Sequence, residues 1–220
     1  MTHLSYTEEN YIKAIFHLQE GKKAVTTNEL ADYLQTKPAS ITDMLKKLAQ
    51  KKIVGYKAYY GCTLSSEGRK IALSIIRRHR LWEYFLSQKL GMNWDEVHDL
   101  AEQLEHVSSE KLIDSLDNFL GHPRFDPHGD PIPDKTGKMI TEQQASLANL
   151  KENSKGKVSQ IGNQSSEILS LLEENGIALG THIEIIKRHS FDQSLEIKID
   201  KKQTRYITKE LALNIFIKSL

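Results

Sequence analysis

Cysteine is almost absent from this sequence: Cys62 is the only one in 220 residues. A single thiol excludes an intramolecular disulfide and a thiolate-cage metal site. No apolar run approaches the roughly 18 residues that a membrane-spanning helix needs. The first five residues also lack the charged and then apolar pattern of a secretion signal. These absences predict a cytoplasmic protein.

Net charge is also small, at +1, but it is unevenly distributed along the chain. Residues 1–70 carry eleven Lys or Arg against seven Asp or Glu, a net of +4, whereas residues 71–140 carry eight against twelve, a net of −4. A basic region favours binding to a polyanion, and an acidic region favours binding to cations. An imbalance of four charges is also common by chance. The length suggests one large domain or two or three small ones, and the 39% hydrophobic content is typical of globular proteins.

The first seventy residues predict a winged helix. Capping-box patterns at Ser5 and Thr26 begin two helices, and Pro38 begins a third after a tight break. A short helix, a break and a second short helix form the helix-turn-helix pattern. Residues 53–64 are rich in β-formers and predict a hairpin that completes the wing. The alternative is a small α-domain with an incidental hairpin.

The third helix is the predicted recognition helix, since the second helix of a helix-turn-helix enters the major groove of DNA. Its early residues offer base or phosphate contacts, and lysines behind it and on the wing offer phosphate contacts. Each lysine taken alone is more simply a solvated side chain, so the prediction depends on their clustering. The predicted DNA-binding residues are Thr27, Lys37, Pro38, Ala39, Ser40, Thr42, Asp43, Lys46, Lys47 and Lys57.

The rest of the chain predicts a helical region followed by a small β-domain. A long helix from Ser65 to Gly91, a helix beginning near Asn93 and another ending near Gly121 precede a proline-rich irregular segment. Five short alternating strands near the C-terminus, the last of them Leu213–Ile217, predict a small barrel. The predicted domains are residues 1–70 (winged helix), 71–140 (helical), 141–157 (linker) and 158–220 (barrel), a mainly α fold with small β parts.

Histidines and glutamates in the helical region lie at helical spacing. His79 and Glu83 are four residues apart and share a helix face. His98, Glu102, Glu105 and His106 fall within an arc of about 80–100° on the next predicted helix. Two such helices packed together can enclose divalent cations. The alternative is a salt-bridged acidic surface.

Several motifs together resemble the diphtheria-toxin-repressor family of metal-dependent transcriptional regulators. They include Pro38-Ala39-Ser40-Ile41-Thr42 and Arg78-His79-Arg80-Leu81, followed by Val97-His98-Asp99, Leu104-Glu105-His106-Val107 and the loop from Pro127 to Pro133. The resemblance spans nearly the whole chain. The C-terminal barrel resembles the SH3-like, FeoA-type module of the longer members.

The resemblance implies two metal sites per subunit. An ancillary site would use His79, Glu83 and His98, completed by Gln164 and Glu167, whose amide and acid stand in swapped order relative to the family. A regulatory site would use Glu102, Glu105 and His106 with Asn10, where the family has a carboxylate or a methionine. Lys13 stands where some manganese regulators have another carboxylate. Glu102, where iron-sensing members have a cysteine, favours Mn²⁺ over Fe²⁺ by ligand hardness.

The predicted function is therefore a manganese-dependent repressor of metal-uptake genes that is not an enzyme. By the resemblance, it binds a palindromic operator as a homodimer, and the helices around residues 93–120 form the dimer. An iron(II)-dependent repressor of the same family is the nearest alternative. A metal-dependent hydrolase or a metal-independent winged-helix adaptor are alternatives from other classes. The sequence contains no nucleophile elbow, His-Glu-x-x-His pair or phosphate loop to support a hydrolase.

Overall fold

A computed structural model describes residues 4–19, 21–140 and 142–219 of the chain. The chain forms two compact units. The first comprises Met1–His79, Gln103–Ser109 and Pro133–Lys138; the second comprises Arg80–Glu102, Glu110–Ile132 and Met139–Leu220. None of the helices in the described residues has the length and apolar character needed to cross a membrane.

The first unit contains the elements predicted for a winged helix, in the predicted order. They are α1 (Tyr6–Leu18), α2 (Thr27–Tyr33), α3 (Pro38–Gln50), β1 (Val54–Lys57), β2 (Gly61–Leu64) and the start of α4 (Ser66–Leu90). Both predicted capping boxes are present, because Ser5 and Thr26 each exchange hydrogen bonds with the glutamate three residues later. The strands β1 and β2 pair antiparallel and form the hairpin.

One apolar core holds the first unit together. Its fully buried side chains come from every helix of the winged helix and recur at helical spacing; they include Ile12, Ile15, Leu30, Ile41, Leu45 and Leu48. The same spacing leaves the opposite face of α3 in solvent. The core therefore determines which side of α3 can meet another molecule.

The second unit begins with the remaining turns of α4, followed by residues of α5 (Val97–Val107) and by α6 (Glu110–Leu120). The helix predicted to begin near Asn93 begins four residues later, because residues 94–96 form a turn in which the Glu96 amide donates to the Asn93 carbonyl at 3.1 Å. The proline-rich segment after α6 is irregular, as predicted. Its backbone closes on itself through bonds from Asp126 to Asp130 and from Ile132 to Arg124.

A six-stranded antiparallel sheet with the strand order β3-β8-β4-β5-β6-β7 forms the rest of the second unit. The elements are β3 (Ala145–Ser146), a 3₁₀ turn (Leu147–Asn149), β4 (Lys155–Ile161), α7 (Ser166–Glu174), β5 (His182–Arg188), β6 (Leu195–Ile199), β7 (Gln203–Ile207), α8 (Lys209–Leu213) and β8 (Ile215–Ser219).

Two details of this sheet differ from the sequence prediction. Residues 141–157 were predicted as a linker, but they include β3 and the start of β4, whose backbones pair with β8. Leu213 was predicted to start the last strand, but it ends α8, which is capped by the Thr208 hydroxyl. Both elements are short, so their strand and helix character comes from pairing and capping rather than from hydrophobic periodicity.

Candidate metal centre and nucleic-acid interface

Glu83, on α4, is the centre of two groups of possible metal ligands. In the first group, ligand atoms from His79, Glu83 and His98 all lie within 4.8 Å of one another. His79 and Glu83 are adjacent because they stand one helical turn apart. The Nδ1 atom of His98 lies 3.2 Å from Glu83 Oε1, and Glu83 is only 1% exposed. A buried carboxylate between two imidazoles is a ligand set for a divalent cation.

Glu105 orients the His79 ring. Its Oε2 atom lies 2.7 Å from His79 Nδ1. A metal would therefore bind His79 through the other ring nitrogen, Nε2. Hydrogen bonding of a ligating histidine to a carboxylate fixes the ring and raises its basicity. In this arrangement Glu105 supports the first ligand group from outside it.

The second group consists of Glu83, Asp126 and His128, all buried. His128 is fully buried, and its Nε2 atom lies 2.8 Å from the Trp94 carbonyl oxygen, which can only accept a hydrogen bond. Nε2 therefore carries a proton, and in the neutral ring Nδ1 presents a lone pair. Nδ1 has no hydrogen-bond partner and lies 3.9 Å from Glu83 Oε2. Two acceptors facing each other in a buried position fit a cation between them.

The charge around Asp126 supports the same interpretation. Burial raises the pKa of Asp126 well above its usual range, and the nearby Asp130 and Glu83 carboxylates raise it further. Arg80 offsets part of this repulsion, with its guanidinium 3.5 Å from Asp126 and 3.3 Å from Asp130. A divalent cation at Glu83 would lower the cost of holding these carboxylates ionised.

The amide and acid predicted to complete the ancillary site lie near α7. Gln164 donates through Nε2 to Asp130 Oδ2 at 2.7 Å. Glu167 is exposed in the first turn of α7. Asp126 and His128 stand in a ligand group with Glu83. The ligand roles of Gln164 and Glu167 stay predictions.

The residues predicted for the regulatory site are distributed over α1 and α5. Glu102, Glu105 and His106 share one face of α5. Asn10, on α1, has a buried side-chain oxygen without a hydrogen-bond partner. His106 Nδ1 lies 2.7 Å from Oε2 of Glu9, the neighbour of Asn10. Among the described residues, neither close group of three His, Cys, Asp or Glu ligands includes Glu102, Glu105 or His106.

The candidate nucleic-acid interface is the exposed start of α3. Its residues project into solvent because Ile41, Leu45 and Leu48 hold the opposite face in the core. The exposed predicted contacts are Lys37, Pro38, Ala39, Ser40, Asp43, Lys46 and Lys47, whereas Thr27 and Thr42 are partly buried. On the wing, exposed Lys57 lies over the Tyr60 ring at 4.1 Å from its centroid. The α3 side chains predicted to read bases and to contact phosphates are thus largely exposed to solvent.

Comparison with known proteins identifies the family. Residues 3–62 match the N-terminal DNA binding domain of iron dependent repressors, residues 65–134 match their metal binding and dimerisation domain, and residues 145–219 match the FeoA domain. The chain is 33% identical over 118 residues to the HTH-type transcriptional regulator MntR of Oceanobacillus iheyensis, covering 54% of this chain and 80% of that protein. The chain belongs to the diphtheria toxin repressor family.

Further similarities extend over most of the chain. The diphtheria toxin repressor of Corynebacterium glutamicum is 26% identical over 200 residues, which cover 84% of this chain and 86% of that protein. A solved structure of a manganese-dependent transcriptional repressor in complex with manganese has a TM-score of 0.89 and 34% identity. The match covers 97% of this chain and 100% of that one.

Membership confirms several predictions from the sequence. The family and its C-terminal FeoA domain were predicted correctly, and so was the fold class. Proteins of this family are metal-dependent transcriptional repressors, which confirms that the chain is not an enzyme and removes the hydrolase alternative. The individual site residues stay predictions, because family membership does not assign ligands in this chain.

Sequence reasoning missed Asp126 and His128 as candidate ligands. Both lie in the proline-rich loop, whose sequence carried the family resemblance without indicating a chemical role. The sequence Asp126-Pro127-His128 could have indicated them, because it places a carboxylate and an imidazole on either side of a proline, which restricts the backbone. The contact of Glu9 with His106 was also not predicted, and the only indication in the sequence was that Glu9 is next to Asn10.

Proposed function

We propose that this family member is a manganese-responsive repressor of metal-uptake genes, which binds a palindromic operator as a homodimer and holds two ions per subunit. The observation that carries the proposal is the buried Glu83 carboxylate, which is shared by two groups of imidazole and carboxylate ligands. In a repressor whose DNA binding depends on a metal ion, this site would bind that ion.

The choice of Mn²⁺ follows from the chemistry of the ligands. The candidate groups contain only oxygen and nitrogen donors. The Cys62 thiol is 1% exposed, and burial, with a contribution from Glu29, raises its pKa to about 12. A protonated thiol in the hairpin core supplies no soft ligand. Hard donors favour Mn²⁺, with Fe²⁺ as the nearest competitor.

The proposed mechanism links metal binding to the position of α1, which belongs to the winged helix. A metal held by Glu102, Glu105 and His106 on α5 and by Asn10 on α1 would fasten these helices to each other. Metal would then favour the DNA-competent arrangement through its differential affinity for that state. The buried, unpartnered Asn10 oxygen supports this role, because an amide oxygen is a ligand for hard cations.

Homodimer formation is supported by exposed apolar residues in the second unit. Leu100 on α5, and Leu112 and Phe119 on α6, are 37%, 46% and 68% exposed. They fall within residues 93–120, the predicted dimer-forming region. A two-fold dimer presents two α3 helices to two half-sites, so a palindromic operator is expected.

The Glu83→Gln variant tests the proposal. The substitution keeps the side-chain volume but removes the charge that both ligand groups share. An operator is first selected from random duplexes with Mn²⁺-loaded wild type, and its affinity is measured by fluorescence anisotropy with chelator and with Mn²⁺. We expect Mn²⁺ to raise wild-type affinity by about tenfold or more, and the variant to lose most of this gain.

Glu67→Gln is the matched control, because Glu67 lies on the same helix with its side chain 69% exposed. This control should retain the full response to Mn²⁺. Equal DNA affinity of the wild type with chelator and with Mn²⁺ would contradict the proposal and support the metal-independent adaptor. Repeating the titration with anaerobic Fe²⁺ and with Zn²⁺ orders the metals, and a stronger response to Fe²⁺ would support the iron-dependent alternative.

A further inference from the structure

A positively charged side chain of the protein itself lies against Glu105. Lys13, on α1, places its Nζ atom 2.8 Å from Glu105 Oε1. The Glu105 side chain has no exposure, and that of Lys13 is 12% exposed. An ion pair shielded from solvent to this degree is much less screened than one at the surface. Glu105 is one of the carboxylates predicted to hold the regulatory metal.

Two further nitrogen atoms lie near the Glu105 carboxylate. His79 Nδ1 lies 2.7 Å from Oε2, and His106 Nε2 lies 3.5 Å from Oε1. The Lys13 ammonium group is thus the positively charged side chain nearest to the buried Glu105 carboxylate, and it compensates that charge from within the chain. A metal ion at Glu105 would have to replace a charge that is already present.

The same region joins α1 to α5 by a second pair. Glu9 Oε2 lies 2.7 Å from His106 Nδ1, and Arg78 donates to Glu9 Oε1 at 3.0 Å. The rings of Tyr6 and His106 stack at 4.9 Å between centroids. With Lys13 and Glu105, these contacts connect α1 to α5 through protein groups. The connection proposed above for a metal is thus already formed in part by side chains.

We propose that Lys13 is a built-in counter-ion of Glu105, which a metal ion must displace before it can bind at the regulatory site. This inference rests on the proposed metal-dependent function and concerns the second ion only. The neutral amide of Asn10 and the ammonium group of Lys13 both reduce the attraction of this site for a dication. The ion at the Glu83 groups should therefore bind first and more tightly, and the ion at Glu105 should bind second and more weakly.

Calorimetric titration of Mn²⁺ into the metal-free full-length protein tests this order. Wild type should bind two ions, the second about tenfold or more weakly than the first. Lys13→Met removes the charge and keeps the length of the side chain. In this variant the second ion should bind about tenfold or more tightly than in wild type, and the first should be unchanged. Lys13→Gln, whose neutral amide can still donate to Glu105, should change the second affinity in the same direction and guards against misfolding of the methionine variant.

Two control variants separate charge from other effects. Lys13→Arg keeps the positive charge and should retain a weak second site. Lys22→Gln breaks another Lys–Glu pair, the 2.6 Å pair with Glu29 in a more exposed position, and should leave both affinities unchanged. Thermal unfolding gives an independent reading: metal-free Lys13→Met should unfold at a lower temperature than wild type, and saturating Mn²⁺ should raise its midpoint by more than it raises that of wild type.

The outcomes distinguish this inference from the proposed function. If the second affinity is unchanged or weaker in both Lys13→Met and Lys13→Gln while the first ion binds normally, the counter-ion role is wrong and the metal-dependent function stands. If wild type binds no Mn²⁺ at either site, the proposed function fails and the inference fails with it.

Discussion

At the scale of single residues, the chemistry depends on buried groups that need a partner. The His128 Nδ1 lone pair and the Asn10 oxygen are buried without hydrogen-bond partners. Buried polar atoms are nearly always paired in folded proteins, because leaving one unpaired costs about 1–3 kcal/mol. Both atoms lie among or beside candidate ligands, so metal binding gives each of them a role.

Glu8 provides a prediction that concerns the stability of the winged helix. This residue is 1% exposed and accepts hydrogen bonds from Lys51 Nζ at 2.6 Å and from the Ser5 amide at 2.8 Å. Burial raises its pKa, but Lys51, Ser5 and Lys47 together lower it to about 2, from an ordinary value of 4.5. A carboxyl whose folded pKa is depressed stabilises the folded state above its unfolded pKa, and this stability is lost as pH falls toward the folded pKa.

We therefore expect Glu8→Gln to lower the free energy of unfolding at pH 7 by about 2 kcal/mol. The difference between wild type and variant should shrink as pH falls from about 4.5 toward 2. Urea unfolding of the metal-free proteins across this pH range measures the difference in free energy of unfolding. Glu67→Gln, at an exposed position, is the control. Parallel pH profiles for wild type and Glu8→Gln would show that the charge of Glu8 has no stabilising role.

The sequence allowed some ligand positions to be predicted and not others, for a physical reason. His79 and Glu83 were found because helical spacing alone places them together. The pairing of Glu83 with Asp126 and His128 depends on the path of an irregular loop, and no periodicity describes that path. The sequence showed that Lys13 replaces a possible carboxylate ligand. Its ion pair with Glu105 could not be predicted, because it depends on how α1 and α5 pack.

At the scale of elements, the winged helix was the easiest part to predict. Capping boxes, Pro38 at the start of α3 and the hairpin residues are local signals that agree with one another. The short strand β3 and the short helix α8 were missed, because they depend on pairing with β8 and on a single cap. Elements formed by tertiary contacts leave little trace in a local sequence pattern.

The loop that carries Asp126 and His128 yields an element-scale prediction through Gly129. This glycine has a φ of +89°, and an added Cβ would overlap the backbone carbonyl of Ser159 in β4. The His128 carbonyl, next to it, accepts a hydrogen bond from the Ile161 amide at 2.9 Å. Gly129→Ala should therefore push the loop away from β4, lowering the free energy of unfolding by about 3 kcal/mol and weakening the first Mn²⁺ site.

Gly176→Ala is the matched control for this prediction. Gly176 has a φ of +72°, but an added Cβ would meet nothing within 4 Å. Gly176→Ala should lower the free energy of unfolding only by the strain of an alanine in the left-handed backbone conformation, about 1 kcal/mol. Its Mn²⁺ affinity should be unchanged. Chemical unfolding and Mn²⁺ titration of both variants make the comparison. Equal losses in the two variants would mean that the close approach of Gly129 to β4 has no structural role.

At the scale of the whole molecule, the division of charge along the sequence corresponds to two proposed tasks. The basic first seventy residues supply the exposed lysines of α3 and the wing. The acidic middle supplies Glu83, Asp126 and Glu105, which are buried rather than arranged as a solvated surface. This burial argues against the interpretation that the acidic residues form only a salt-bridged exterior.

The central claim is that metal binding and DNA binding are coupled, and thermodynamic linkage requires the coupling to be reciprocal. The most direct measurement is the affinity of the protein for Mn²⁺, determined from free Mn²⁺ by electron paramagnetic resonance, with and without the selected operator duplex. The operator should raise Mn²⁺ affinity by about tenfold or more, the same factor by which Mn²⁺ raises operator affinity. Equal Mn²⁺ affinity with and without the operator would contradict the coupling.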